Sequence, residues 1–375
     1  MIKVIIKFGK WSLNLIYKVF KILPQQNKIT FISRQHDFEN IDFKLLRNEI
    51  EKIYPDAKCI VLTKMIHPGL ISKVEYGFHM IRQMYHLSTS QLVILDTYCI
   101  LVSILEHRPE LKIVQMWHAL GALKQFGYSI LDKEEGTSRL VAELMEMHKN
   151  YTYVCASSRE CVPFFAEAFH VPQEKVKVLP LPSTDLLIDK TYQKELSDRI
   201  YEHYPKLKNG KKKVVYAPTF RKNEDMTQIT KELIQALDLE IYDLIIKFHP
   251  LTKIEISGDQ VLNLKEFETY EVLSVADYVI TDYSAIVFDA VLMEKPIFFF
   301  AYDLNEYMKK RSFYINYVDE MPGIISSKPE VIVKAISEND FSLEKEKKFR
   351  EKFVADTKEG YVQDWMKFID GMRGI

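Results

Sequence analysis

The chain has 375 residues, 47% hydrophobic and 12% aromatic, enough to bury the cores of two ordinary domains and too apolar for a disordered polymer. A formal net charge of −1 gives no global attraction to nucleic acid, so any anion binding has to be local. The four cysteines (Cys59, Cys99, Cys155, Cys161) form no CxxC pair and no regular spacing, which argues against a disulfide framework or zinc site and fits a reducing compartment.

The N-terminus reads "MIKVIIKFGKWSLNLIYKVFKILP". Lys3, Lys7, Lys10, Asn14, Lys18 and Lys21 recur at steps of three and four, which on a helix makes one polar stripe on an otherwise apolar rod. The lysines leave no run of about 18 apolar residues for a membrane span, and they interrupt any signal-peptide core. Two readings stand: a helix packed on the protein with solvated lysines, or a cationic helix lying in the plane of an anionic membrane surface. The width of the apolar face favours the second.

Beyond Pro24, short β-rich runs alternate with helical pattern. Strands are expected at 28–33, 58–63, 91–96, 111–117, 151–157 and 176–182, and helices at 39–53, 72–87, 98–107, 137–149 and 159–169. A charged stretch over 184–212, ending "KLKNGKKK", reads as a linker with a helix inside it. Strands then resume at 213–218, 242–248, 260–264, 277–281, 296–300 and 323–326, and the chain from Lys328 onward reads as helices. Continuous apolar strands separated by helices specify parallel sheets covered on both faces. The expected fold is α/β: two doubly wound, Rossmann-like domains facing a cleft, with an N-terminal amphipathic helix. Ligands in such folds sit at the carboxyl ends of the strands.

Chemistry-capable residues collect at those ends. The run 111–117 leads into His118, with Gly121 and Lys124 close behind; 213–218 leads into Thr219, Arg221 and Lys222; 242–248 carries Lys247 and leads into His249; 277–281 leads into "TDYSA" with Thr281, Asp282, Ser284 and Ala285. Each has a plainer reading. A histidine before a turn is often a structural hydrogen-bonder, Arg221 can pair with an acid, and Thr281 or Ser284 can cap a helix. Their joint occurrence is what suggests a ligand site. A helix starting near Ser284 would offer its first N–H groups to a phosphate, hydroxyls of Thr281 and Ser284 would add donors, and Arg221, Lys247 and His249 would approach the same anion. Neither GxGxxG nor GxxxxGK[ST] occurs, so dinucleotide and P-loop sites are not supported. His118 is the candidate base. No metal-ligand spacing is present, and neither a metal nor another cofactor is expected.

In order, "WHALGALK", "YAPTFR", "KFHP", "TDYSAIVFDAVLMEKPIFFFAYDLNEY" and "PGII" resemble the motifs of the CDP-glycerol glycerophosphotransferases, the teichoic acid primases and polymerases of Gram-positive bacteria. The resemblance spans about 110–330. It implies a GT-B fold, a CDP-alditol donor (CDP-glycerol or CDP-ribitol), an undecaprenyl-diphosphate-linked saccharide acceptor and peripheral attachment to the cytoplasmic face of the cell membrane, with no nucleic-acid partner. By motif, His118 would be the catalytic base, Arg221, His249, Thr281, Asp282 and Ser284 would contact the donor, and His249 and Ser284 would sit at the diphosphate. His249 is thereby also a catalytic candidate, while Gly121, Lys124 and Arg311 are acceptor or loop candidates. The implied domains are 1–23 membrane helix, 24–183 acceptor domain, 184–212 linker and 213–375 donor domain.

The pattern departs from the family twice: Trp117-His118-Ala119-Leu120-Gly121 replaces W-H-G-T-P, a form shared more with ribitol-type and capsular relatives, and Arg311-Ser312-Phe313 replaces Arg-Gly-Phe. The absence of a long extension ahead of the catalytic unit leans toward a primase or single-addition enzyme. Two other readings are a sugar transferase of the same fold, which would place an acid on a sugar or ribose (Asp289, on a helix starting at Ser284, lies beyond the first turn), and a non-catalytic membrane assembly protein, which would have lost the strand-end polar residues.

Overall fold

The computed structural model describes residues 2–221, 225–249, 252, 254, 261–355 and 359–373. The chain forms two compact units: 1–119 with 126–183 and 360–375, and 120–125 with 184–359.

The first unit is built on six parallel strands: β1 (Lys28–Ser33), β2 (Lys58–Thr63), β3 (Leu92–Leu95), β4 (Lys112–Gln115), β5 (Tyr153–Ala156) and β6 (Val176–Val178), in the order β2-β1-β3-β4-β5-β6. Every residue of β1 and β3 is buried. Successive side chains point to opposite faces, so both faces of the sheet are covered, as the unbroken apolar runs require. The order reverses between β1 and β3, and a crevice opens at the carboxyl ends of strands at such a reversal.

The second unit repeats the plan with β7 (Lys212–Ala217), β8 (Tyr242–Ile246), β9 (Val261–Leu262), β10 (Tyr278–Thr281), β11 (Ile297–Phe300) and β12 (Ile325–Ser326), in the order β12-β11-β10-β7-β8-β9. Its core includes Val214, Tyr216, Leu244, Ile280, Phe298 and Phe300. Here the reversal falls between β7 and β10, and Ala217 is the register partner of Thr281. The two strand ends that carry most candidate residues are therefore neighbours.

All twelve expected strands form, several one or two residues shorter at the carboxyl end, which leaves Asp96, Trp117 and Phe248 in loops. The stretch 184–212 belongs to the second unit and carries the helices Thr184–Ile188 and Lys190–His203. The last helix, Tyr361–Arg373, grouped by pattern alone with the second half, clusters with the first unit. It buries Trp365, whose indole N–H donates to the Pro180 carbonyl at 2.7 Å.

Helix α1 (Ile2–Phe20) is docked on the first unit mainly through polar groups. Asn14 donates to the Ile104 carbonyl and accepts from the Glu106 N–H, Lys10 pairs with Glu146 at 2.7 Å, and Tyr17, fully buried, shares a hydrogen bond with His107. Val4, Phe8, Trp11, Leu15 and Val19 on the opposite face are exposed. This inverts the usual amphipathic helix, which buries its apolar stripe. No described helix is long and apolar enough to cross a membrane.

Candidate functional site

In the second unit, the β7 and β10 ends are bound into one frame. The Thr281 hydroxyl, fully buried, donates to the Ala217 carbonyl at 2.7 Å. Asp282 is 0% exposed; its carboxylate accepts from the Thr219 and Tyr283 N–H groups and from Arg221 Nη1 at 2.7 Å. Arg221, 7% exposed, also grips Asp303 through Nε and Nη2 at 2.7 and 2.8 Å. Its guanidinium lies 5.0–5.5 Å from the ring centres of Tyr302, Tyr283 and Tyr307. The Tyr283 hydroxyl donates to Asp303, and the Tyr317 hydroxyl to the Asp282 carbonyl. Burial alone would lower the Arg221 pKa, but hydrogen bonds to Asp303 and the charge of Asp282 outweigh it and hold the guanidinium charged.

Such a pair resists loss of either partner. Removing one charge from a buried pair typically costs about 3–5 kcal/mol because the other is left uncompensated. Thr281, Asp282 and Arg221 spend the groups described above on the protein itself. The expectation that the Thr281 hydroxyl serves as a donor to a ligand is corrected on this point: it is sealed between strands and satisfied by a backbone carbonyl.

Lys247 is similarly engaged. Its ammonium donates to the Leu264 and Phe267 carbonyls, pinning the loop after β9, and burial lowers its pKa. Ser284, Ala285, Thr219 and His249 are more open: the first three are half-buried and His249 is exposed. The Ser284 hydroxyl accepts from the Ile286 N–H at 3.4 Å. The helix thus begins two residues later than expected, at Ile286–Leu292, with Ala285 as cap. The Thr219 hydroxyl is buried with no hydrogen-bond partner. The His249 ring lies 5.2 Å from Phe220, and desolvation lowers its pKa. Lys222 falls outside the described residues.

Residues 120–125 cluster with this second unit although they directly follow His118 and Ala119. The Lys124 ammonium donates to the Tyr307 hydroxyl at 3.2 Å, and residues 123–125 pair with 312–314 through Tyr314 N–H to Leu123 and Gln125 N–H to Ser312. A Cβ on Gly121 would sit 2.7 Å from the Phe288 ring, so this position takes no side chain unless Phe288 moves. The Arg311 N–H closes the helix Leu304–Lys310 on the Tyr307 carbonyl. Gly121, Lys124 and Arg311 are thus tied to the elements around the arginine frame.

The first unit holds His118. After β4 the backbone turns through Trp117 in the left-handed region, at φ 64°. Buried Gln115 stabilises that turn by accepting from the Trp117 N–H at 3.0 Å while donating to the Thr97 carbonyl and the Tyr151 hydroxyl. Trp117 stacks on Phe126 at 4.5 Å. The His118 side chain is thereby delivered to the Asp96 carbonyl, 2.9 Å from Nδ1. A carbonyl can only accept, so Nδ1 carries the proton of the neutral ring and Nε2 keeps its lone pair. Desolvation lowers the His118 pKa more than the carbonyl bond raises it, although the residue also meets solvent. The Asp96 carboxyl is buried and accepts from Asn40 at 2.8 Å; burial raises its pKa to about 7.

Asp303, Tyr302 and Tyr307 are absent from the sequence-based site. Their signal is position: Tyr302 and Asp303 lie directly past the end of β11, as the recognised candidates lie past β7 and β10.

Two doubly wound parallel-sheet units with polar strand ends make a GT-B-like fold. The model of the CDP-glycerol:poly(glycerophosphate) glycerophosphotransferase family matches residues 15–362. The chain belongs to that family and is a polyol-phosphate transferase of the teichoic acid type. It is 32% identical to the teichoic acid ribitol-phosphate primase of Bacillus spizizenii, over 95% of this chain and 91% of that one. It is 29% identical to the teichoic acid glycerol-phosphate primase of Bacillus subtilis, over 78% and 77%. The fold matches the wall teichoic acid polymerase TagF with a TM-score of 0.76 at 20% identity, covering 99% of this chain and 97% of that one.

Proposed function

We propose that the chain transfers glycerol phosphate from CDP-glycerol to a hydroxyl of a lipid-linked saccharide acceptor in teichoic acid or related surface-polymer synthesis. The acceptor oxygen attacks the phosphorus bearing glycerol, its proton passes to His118 Nε2, and the bond to the bridging oxygen breaks so that CMP leaves with the electron pair. The observation that carries the base assignment is the His118 Nδ1 bond to the Asp96 carbonyl, which leaves Nε2 unprotonated in a ring whose pKa is lowered.

In this reading His249, Ser284, the Ala285 N–H and the Thr219 hydroxyl contact the donor. Arg221, Asp282, Thr281 and Lys247 hold those contacts in place through bonds within the protein. Charge neutralisation on phosphoryl oxygens supplies much of the rate in such transfers. A CDP-ribitol donor is the second reading, favoured by the ribitol-phosphate primase relative and by Ala119 after His118. The enzyme works at the cytoplasmic face of the membrane, held peripherally by the outward apolar face of α1.

The test is release of CMP from CDP-glycerol and CDP-ribitol in the presence and absence of a lipid-linked disaccharide. Acceptor-dependent release from CDP-glycerol supports the proposal, and release from CDP-ribitol alone moves the donor to the second reading. Release from neither rejects both.

A further inference from the structure

Strand β4 lies inside its sheet, between β3 and β5, and ends on Gln115, fully buried in a run whose other buried members, Ile113, Val114 and Met116, are apolar. A buried amide costs stability unless its donors and acceptor find partners. Here each does. Oε1 accepts from the Trp117 N–H at 3.0 Å, and Nε2 donates to the Thr97 carbonyl at 3.0 Å and to the Tyr151 hydroxyl at 3.2 Å. An N–H can only donate and a carbonyl can only accept, so the amide has one possible orientation.

Those partners bracket the His118 hydrogen bond, which runs from Nδ1 to the Asp96 carbonyl at 2.9 Å. Trp117 directly precedes His118, and Thr97 directly follows Asp96. One amide therefore clamps the two backbone segments that carry the two ends of the bond. The clamp is itself held. The Tyr151 hydroxyl accepts from Gln115, which leaves its own proton for His148 Nδ1 at 3.1 Å. His148 is buried, and desolvation lowers its pKa to about 3, so the ring is neutral and able to accept. Trp117 and His148 both sit in the left-handed region, at φ 64° and 63°. Side chains of this bulk stay there only where their surroundings over-determine the backbone. Phe169 packs against both, edge-on to the Trp117 ring at 5.3 Å and to the His148 ring at 4.8 Å. All of these residues belong to the first unit.

We infer that Gln115 is the positioning residue of the catalytic base, with Tyr151 and His148 holding its amide in place. Being fully buried, Gln115 meets no substrate. It fixes the separation of the Trp117 and Thr97 backbones, and with it the Nδ1 bond that leaves Nε2 open. A free imidazole exchanges its proton between both nitrogens, and the bond made by one nitrogen decides which state persists. Loosening the clamp lets the ring turn and its tautomers mix, and a displacement of about 1 Å in a reacting group costs about 10²-fold in rate. This role rests on the reading of His118 as the base and adds what sets that base in position.

The experiment measures acceptor-dependent CMP release by the full chain, together with nuclear magnetic resonance of isotope-labelled histidine, the His118 signal being identified by its loss in His118→Ala. Wild type is expected to show His118 protonated on Nδ1. Gln115→Met keeps the length of the side chain and removes all three bonds. It is expected to lower kcat by about 10- to 100-fold, to leave KM for the CDP-alditol within about twofold, and to give a His118 signal averaged between the two tautomers. Wild-type kcat, or a signal still fixed on Nδ1, overturns the inference. So does a rise in KM that accounts for the whole loss of kcat/KM, which would place the effect on donor binding. Should Gln115→Met unfold, Tyr151→Phe replaces it: the ring stays, the amide loses one acceptor, and a kcat loss of about 2- to 10-fold, the worth of one hydrogen bond, is expected with a partly averaged tautomer. Wild-type kcat and tautomer there reject the inference. His118→Ala, run in parallel, separates the two readings. Full turnover there rejects the base and the inference with it, whereas lost turnover there beside wild-type behaviour of the Gln115 and Tyr151 variants rejects the inference alone.

Discussion

The strand ends of the two units handle polar groups in opposite ways. In the first unit His118 is held by one backbone carbonyl and by the turn that Gln115 stabilises, and its second nitrogen keeps a lone pair. In the second unit a buried arginine, two aspartates and a ring of tyrosines are bound to one another, and the sealed Thr281 and Asp282 contribute nothing at the surface. A group that must take up a proton needs an open nitrogen on a ring that is neutral at the working pH. A site that must receive a phosphate chain needs rigid walls on which its hydrogen-bond donors are fixed. The first design spends little of the fold on many contacts; the second spends a buried ion network on stiffness.

The contrast can be broken at several points. The largest effect is expected from His118→Ala, a loss of turnover of about 10²–10⁴-fold with thermal unfolding unchanged, since general-base catalysis is worth that much. Full turnover would show that His118 is a structural hydrogen-bonder. Next comes the frame: Asp303→Ala keeps the Arg221–Asp282 pair but removes the carboxylate that accepts from Arg221 and Tyr283, and is expected to cost about 1.5–3 kcal/mol in a denaturant titration. A loss below about 1 kcal/mol would mean that the network is not the sealed structure described. Ser284→Ala should weaken donor use by about 10-fold, the worth of one hydrogen bond to a charged oxygen, and leave the unfolding midpoint in place. Gly121→Ala forces a methyl against Phe288 and is expected to cost about 1–3 kcal/mol, read as a lowered unfolding midpoint.

The pH profile sharpens the same comparison. As the proposed base His118 has to be neutral, and its pKa lies below the ordinary histidine value of about 6.5. Activity is therefore full above that value and falls only as pH drops through the lowered pKa. The acid limb of kcat/KM should lie below about pH 6.5, and an acid limb at or above it would contradict the desolvated environment.

Much of this was legible in the residues. The twelve β-rich runs announce two parallel sheets because strands buried on both faces cannot alternate in polarity, and strand-end position singled out His118, Arg221, His249 and Ser284. What stayed hidden depends on register and backbone. That Thr281 faces Ala217, and that Asp282 and Asp303 converge on Arg221, follows from the strand order β11-β10-β7, which local pattern does not encode. The His118 tautomer is set by a backbone carbonyl 22 residues earlier, invisible to any reading of side chains. The direction in which α1 docks is equally hidden: its polar stripe reads as the solvated side, yet Asn14 and Lys10 bind the protein and the apolar face looks out.

The proposed division of labour places proton acceptance at His118 and donor recognition in the second unit. Calorimetric titration of CDP-glycerol into the His118→Ala chain tests it most directly. A dissociation constant within about twofold of wild type is expected, since about 1.4 kcal/mol would be needed for a tenfold change, while CMP release is lost. A tenfold or greater loss of CDP-glycerol binding would contradict it and make His118 part of the donor site.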